Sequence, residues 1–124
     1  MARHPFREGG AGPTVTKALL RAAERLGISN EVIGSVLGLS EATVSRMGNG
    51  GYTLRSNDKS FDLSVMFVRL CCSLDAITGG EDAAAQAWMN NDNIALGGSP
   101  LALVQTVHGL ANVIAYLDAR RDIV

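Results

Sequence analysis

The chain has 124 residues, 47% of them hydrophobic and only 5% aromatic, with a formal net charge of −1. That is apolar matter enough for one compact core of mainly aliphatic side chains, and too little positive charge for a general nucleic-acid coat. The charge is unevenly divided: residues 1–60 carry eight Lys and Arg against five Asp and Glu, and residues 61–124 three against seven. A mildly basic half therefore precedes an acidic one, and two partners of different character are expected.

The first segment, residues 1–13, holds three glycines, two prolines and mixed charge, and reads as a flexible arm whose Arg3 and Arg7 are solvated. Thr14 or Thr16 then caps a helix ending near Leu26, with Gly27 as its stop. Val15, Ala18, Leu19, Ala22 and Leu26 form its apolar stripe. Lys17, Arg21 and Arg25 make a basic row on another face, read as solvated but within reach of a DNA backbone.

Residues Asn30 to Asn49, NEVIGSVLGLSEATVSRMGN, read as two short helices joined by a tight turn. Gly38 stands where the chain must reverse, a position open to positive φ because glycine lacks Cβ. Gly34 leaves a gap through which the second helix can approach. Ile33, Leu37, Leu39, Val44 and Met47 fall at inward positions, and Ser40 is a good N-cap for the second helix. The alternative is an ordinary helical hairpin in a core. The spacing and the cap favour a DNA-binding helix-turn-helix, with the second helix in the major groove. Ser40, Thr43, Ser45 and Arg46 on that helix, and Arg55 in the glycine-rich loop after it, are the candidate DNA contacts.

Phe61 to Leu74 is a further helix, apolar almost all round and therefore buried. It is either the central helix of a monomer or the seam of a homodimer, the second being slightly favoured. Its neighbouring cysteines, Cys71 and Cys72, make neither a disulfide framework nor a zinc site, and read as small buried apolar residues in a reducing compartment. Glu81 to Met89 is a short helix with acids at its start. Asn90 to Pro100 is a loop with a buried-looking Ile94 and Leu96, and Ser99 and Pro100 open the last helix, Leu101 to Arg120. Leu101, Val104, Val107, His108, Ala111, Ile114 and Leu117 are expected on its inner face. Residues 120–124 form a short exposed tail. Trp88 is expected as a core anchor between subdomains and His108 as a hydrogen-bonded core histidine.

These elements make an all-α protein with an N-terminal helix-turn-helix subdomain and a C-terminal helical subdomain, divided as 1–13, 14–60 and 61–124. No apolar run approaches the about 20 residues of a membrane span, and the N-terminus lacks a signal-peptide core, so a cytoplasmic protein with no membrane partner is expected. No nucleophile–base–acid spacing, phosphate loop or metal-ligand set is legible. The expectation is a protein that is not an enzyme and takes no cofactor and no metal.

The recognition-helix tract S-x-x-T-V-S-R, Ser40 to Arg46, resembles the Xre/Cro class of helix-turn-helix. The tract from Trp88 onward is similar to the toxin-binding domain of the Xre/MbcA/ParS-type antitoxins. The matching positions are Trp88, Asn93, Leu96, Gly97, Gly98, Pro100, Leu103, Thr106, Gly109, Val113 and Leu117. Family sequences often close on an R-I-x-x-G-like stretch; this chain closes on DARRDIV.

That resemblance implies a specific role. Its members are partners of RES-domain toxins, which destroy NAD⁺ or use it to modify a target. The antitoxin covers the toxin's active-site entrance, often with its C-terminal end, and as a homodimer represses its own operon. The toxin-binding candidates are therefore Asp118, Arg120, Arg121, Asp122, Ile123 and Val124. Arg120 and Arg121 can pair with acids in the toxin, or Asp118, Asp122 and the terminal carboxylate can occupy its phosphate subsites; the anionic mimicry is preferred. The expected partners are thus a cognate RES-domain toxin and operator DNA. The competing function is a stand-alone helix-turn-helix transcriptional repressor.

Overall fold

A computed structural model describes residues 10–122, and the N-terminal arm with Arg3 and Arg7 lies for the most part outside them, as do Ile123 and Val124. Among the described residues seven helices follow one another: α1 (Ala11–Leu26), α2 (Asn30–Leu37), α3 (Glu41–Gly48), α4 (Lys59–Thr78), α5 (Asp82–Asn90), α6 (Pro100–Leu103) and α7 (Val107–Asp122). No strand occurs among the described residues, and the fold is all-α.

Helix α4 is the axis of the molecule. It packs on α7 along one side and on α1 along another, with α2 and α5 against its two ends. Phe67, Leu70 and Leu74 are fully buried along it, together with Leu63 and Cys71. The apolar character of α4 is thus largely consumed within one chain, and the helix does not need a second copy to hide it. Only Val65, at 43% exposure, remains as a large apolar side chain facing water on this helix.

Helix α1 starts at Ala11, three residues before the expected cap, with Pro13 in its first turn where the missing N–H costs nothing. Thr16 is therefore not a cap. It is buried inside the helix, where its hydroxyl donates to Gly12 O at 2.7 Å and accepts from Leu54 N at 3.0 Å. This side chain ties α1 to the segment after α3. Arg25 likewise leaves the basic row. It grips Asp75 on α4 through two hydrogen bonds of 2.8 and 2.9 Å and reaches Asp82 on α5 at 3.0 Å. A planar guanidinium suits this two-pronged contact, and the clamp joins three helices. Lys17 and Arg21 stay exposed.

The expected single helix from Leu101 to Arg120 is two helices. The chain turns at 104–106, and Thr106 Oγ1 accepts from Gly109 N at 3.0 Å, capping a new helix. The break resets the phase of the buried face. Leu110, Val113, Ile114 and Leu117 point inward, whereas Val107, His108 and Ala111 face solvent. His108 is not a core histidine; its exposed ring lies 3.2 Å from the Asn112 side-chain amide. Gly109 is required at the join, because a Cβ there would sit 1.9 Å from Leu103 O.

Three smaller expectations are corrected in the same way. Ile94 is fully exposed, not buried. Cys72 is exposed while Cys71 is buried, and burial pushes the Cys71 thiol up to about 12. Trp88 is half-buried and lies between α5 and α7, both in the C-terminal half, where it stacks on Tyr116 with centroids 6.4 Å apart.

Candidate functional site

The first site is the α2–α3 pair. Ser29 and Ser40 sit in extended conformation before α2 and α3, and each hydroxyl accepts a hydrogen bond from the third residue on: Val32 N at 3.3 Å, Thr43 N at 3.1 Å. Between the helices Gly38 adopts φ 72°, the left-handed value that a side chain disfavours. The chain can cross closely because Gly34 has no Cβ; one built there would meet Leu39 O at 2.5 Å. Gly34 O in turn accepts from Leu39 N at 2.9 Å. Ile33, Leu37, Val44 and Met47 fill the interior angle.

This frame leaves the outer face of α3 in solvent. Ser45 and Arg46 are exposed and Thr43 is half-buried. Ser40 Oγ donates to Thr43 Oγ1 at 2.9 Å, and Arg46 Nη2 donates to the same oxygen at 3.3 Å. The three side chains form one chain of contacts running up the helix, which orients the Arg46 guanidinium before any ligand arrives. Ser45 lies beside it, exposed. Arg55 is exposed, and its carbonyl accepts from Asp58 N at 3.0 Å just before α4 begins. The α3 candidates and Arg55 thus all belong to the segment from the α2–α3 turn to the start of α4.

The second site is the end of α7. The expected exposed tail is helical in its first part: α7 runs to Asp122, with Arg120 and Arg121 exposed. Asp118 faces α4, where it accepts from Ser73 Oγ at 2.8 Å and pairs with Arg69. Arg121 Nη1 donates to Ser73 Oγ at 3.1 Å, so one buried hydroxyl serves both charged residues. The Ser73 hydrogen bond, followed by Arg69 and Arg121, holds the Asp118 carboxyl below its ordinary range despite partial desolvation. Arg120 turns the other way, 5.5 Å above the Tyr116 ring and 3.2 Å from its hydroxyl. Asp118 and Arg121 are therefore partly committed to the fold, and Arg120 and Arg121 lie on different surfaces. Asp122 ends the helix, and Ile123 and Val124 lie outside the described residues.

Sequence reasoning missed Arg69, Ser73 and the Arg25 clamp. No periodic signal marks a partner 48 or 49 positions away. Among the described residues no three His, Cys, Asp or Glu side chains gather to hold a metal, and no helix is long and apolar enough to cross a membrane.

A family model described as the antitoxin Xre-like helix-turn-helix domain matches residues 11–69. A second, described as the antitoxin Xre/MbcA/ParS C-terminal toxin-binding domain, matches residues 73–122. A search of curated protein sequences finds no match. Among solved structures, a chain in the crystal structure of the M. tuberculosis MbcT–MbcA toxin–antitoxin complex superposes with a TM-score of 0.66 at 23% identity, covering 88% of this chain and 95% of that one. At that identity the likeness is one of fold. With its helix-turn-helix and its C-terminal half each matched, in that order and with almost nothing left between them, the chain belongs to the Xre/MbcA/ParS-type antitoxin family.

Proposed function

We propose that this chain neutralises an RES-domain, NAD⁺-consuming toxin by covering its active site, and that it represses its own operon through the helix-turn-helix. The observation that carries the reading is the joining of a helix-turn-helix match and a toxin-binding match in one small chain. On this reading residues 14–60 bind DNA, residues 61–124 bind toxin and form the dimer contact, and the protein works in the cytoplasm.

At the operator, α3 enters the major groove. Arg46, already steadied by Thr43, presents its fork to a guanine edge or a phosphate. Ser45 contacts a base or the backbone, Ser40 and Thr43 set the height of the helix, and Arg55 reaches phosphate. A two-fold dimer presents two such helices to half-sites one helical turn apart, about 34 Å. That geometry argues for a palindromic operator. In the toxin complex the last turn of α7 is brought to the NAD⁺ entrance. Asp118 and Arg121 fix the direction of that turn through Ser73, while Arg120, Asp122, Ile123 and Val124 are the residues that reach inward. An acidic C-terminal half is steered toward a mouth that must attract dinucleotide phosphates.

The test is NAD⁺ turnover by the co-expressed toxin, with the full chain and with a chain ending at Arg121. Loss of inhibition with operator binding intact supports the reading. Full inhibition by the shortened chain shows that the helical body closes the site and the last residues do not.

A further inference from the structure

The segment between α5 and α6 is built to hold one side chain out. Asn93 N donates to Gly98 O at 3.0 Å, and Gly97 N and Gly98 N return to Asn93 O at 2.9 and 3.3 Å. The Asn93 side chain also accepts from Leu96 N at 3.2 Å. Both ends of the loop are fixed: Met89 is buried at the end of α5, and Pro100 is buried at the start of α6. Leu96 turns in and packs against the core. Ile94, within this closed ring, is 100% exposed. It gives nothing to the fold, and a tight hydrogen-bonded loop is a costly way to display an isoleucine to water.

Next to the loop lies a hollow of about 380 Å³ at the start of α7, with Ala95, Leu96 and Leu103 as apolar wall and Thr106, His108 and Asn112 as polar rim. An apolar knob beside a shallow, polar-rimmed hollow is the anatomy of a protein–protein contact. The charged residues of this stretch of sequence are all acidic. Residues 70–119 contain no Lys or Arg, and their acids are Asp75, Glu81, Asp82, Asp92 and Asp118. Arg25 holds Asp75 and Asp82, and Arg69 holds Asp118. Asp92 is exposed two positions from Ile94, and no other described residue hydrogen-bonds its side chain.

We infer that Ile94 is an anchor by which this chain docks on its toxin, inserting into an apolar socket flanked by positive charge, with the His108–Asn112 rim making polar contacts. The inference rests on the antitoxin reading above, and the whole patch falls within the span matched as toxin-binding. It differs from that reading in placing binding energy on the α5–α6 loop, away from the end of α7. Rigid presentation matters here, because a loop already fixed in its bound shape loses little freedom on docking.

The experiment titrates the tagged product of the adjacent gene with wild-type chain, Ile94→Asp and Ile94→Ser, and with Ser35→Asp as an exposed position on α2, outside the toxin-binding half. Circular dichroism and thermal melting accompany each variant and are expected to match wild type at Ile94, since its side chain packs on nothing. Both Ile94 variants are expected to raise Kd about tenfold to a hundredfold, with Ser35→Asp unchanged. Wild-type binding together with undiminished binding by a folded Ile94→Asp variant overturns the anchor and leaves the antitoxin reading standing. Failure of the wild-type chain to bind overturns the antitoxin reading, and the anchor with it.

Discussion

Gly34 is the residue on which the helix-turn-helix geometry depends most directly, and replacing it with alanine tests that geometry. The new Cβ would lie 2.5 Å from Leu39 O and 3.5 Å from the carbonyl carbons of Leu39 and Ser40. All three neighbours are backbone, so no flexible side chain can swing aside. Leu39 itself donates back to Gly34 O at 2.9 Å, which pins the turn from the other side. Overpacking of this kind costs about 1–3 kcal/mol. Against it stands the preference of a helix for alanine over glycine, about 1 kcal/mol. The net expectation is a loss of up to about 2 kcal/mol, or a Tm lower by up to about 8 °C for a chain of this size. Gly48→Ala is the matched control. It has nothing within 4 Å of its Cβ position and no positive φ, so it should be neutral or slightly stabilising. The assay is thermal melting of both variants beside wild type, with operator titration at one fixed salt concentration. Gly34→Ala should weaken operator binding as well, because the relief of the clash shifts α3. A Gly34→Ala chain as stable as Gly48→Ala, with wild-type operator affinity, would falsify the close-approach argument.

At the α6–α7 join the same logic is harsher: Gly109→Ala brings a Cβ to 1.9 Å from Leu103 O, so its loss in a urea titration should exceed that of Gly34→Ala, and an equal or smaller loss would refute the ranking. Arg46→Ala should weaken operator binding by about 1–3 kcal/mol at fixed salt while leaving Tm unchanged; unaltered affinity removes Arg46 from the interface. The Asp118 carboxyl is held low by Ser73 first, so its contribution is present above the pKa of an unfolded aspartate, about 3.9, and fades as pH falls through the lower folded value. Asp118→Asn should therefore be less stable than wild type at neutral pH, with the gap closing in acid; a gap of constant size down to pH about 3 contradicts that origin. Phe67, fully buried at the centre of α4, should cost about 3–5 kcal/mol when cut to alanine, and a chemical denaturation midpoint within error of wild type would deny α4 its central place.

How much of this protein was written in its sequence depends on the range of the interaction. Local signals were complete where the controlling contacts are local. The Gly34, Gly38 and Ser40 pattern determined the α2–α3 turn, because a missing Cβ, a positive φ and a cap act within about five residues. The tract from Trp88 to Leu117 carried the family on its own residues. The signals weakened where one helical pattern overlay another. Leu101 to Leu117 reads as a continuous amphipathic stretch, yet Thr106 caps a fresh helix, and the phase change turns Val107 and His108 outward. The tertiary structure alone decided pairings between distant positions. Arg25 left its basic row for Asp75 and Asp82, fifty or more residues away, and Asp118 and Arg121 met at Ser73. Such contacts follow from which helix faces pack together, a property of the assembled core that no window of sequence contains. The same holds for Ile94: its composition says buried, and only the hydrogen-bonded closure of residues 93–98 puts it in water.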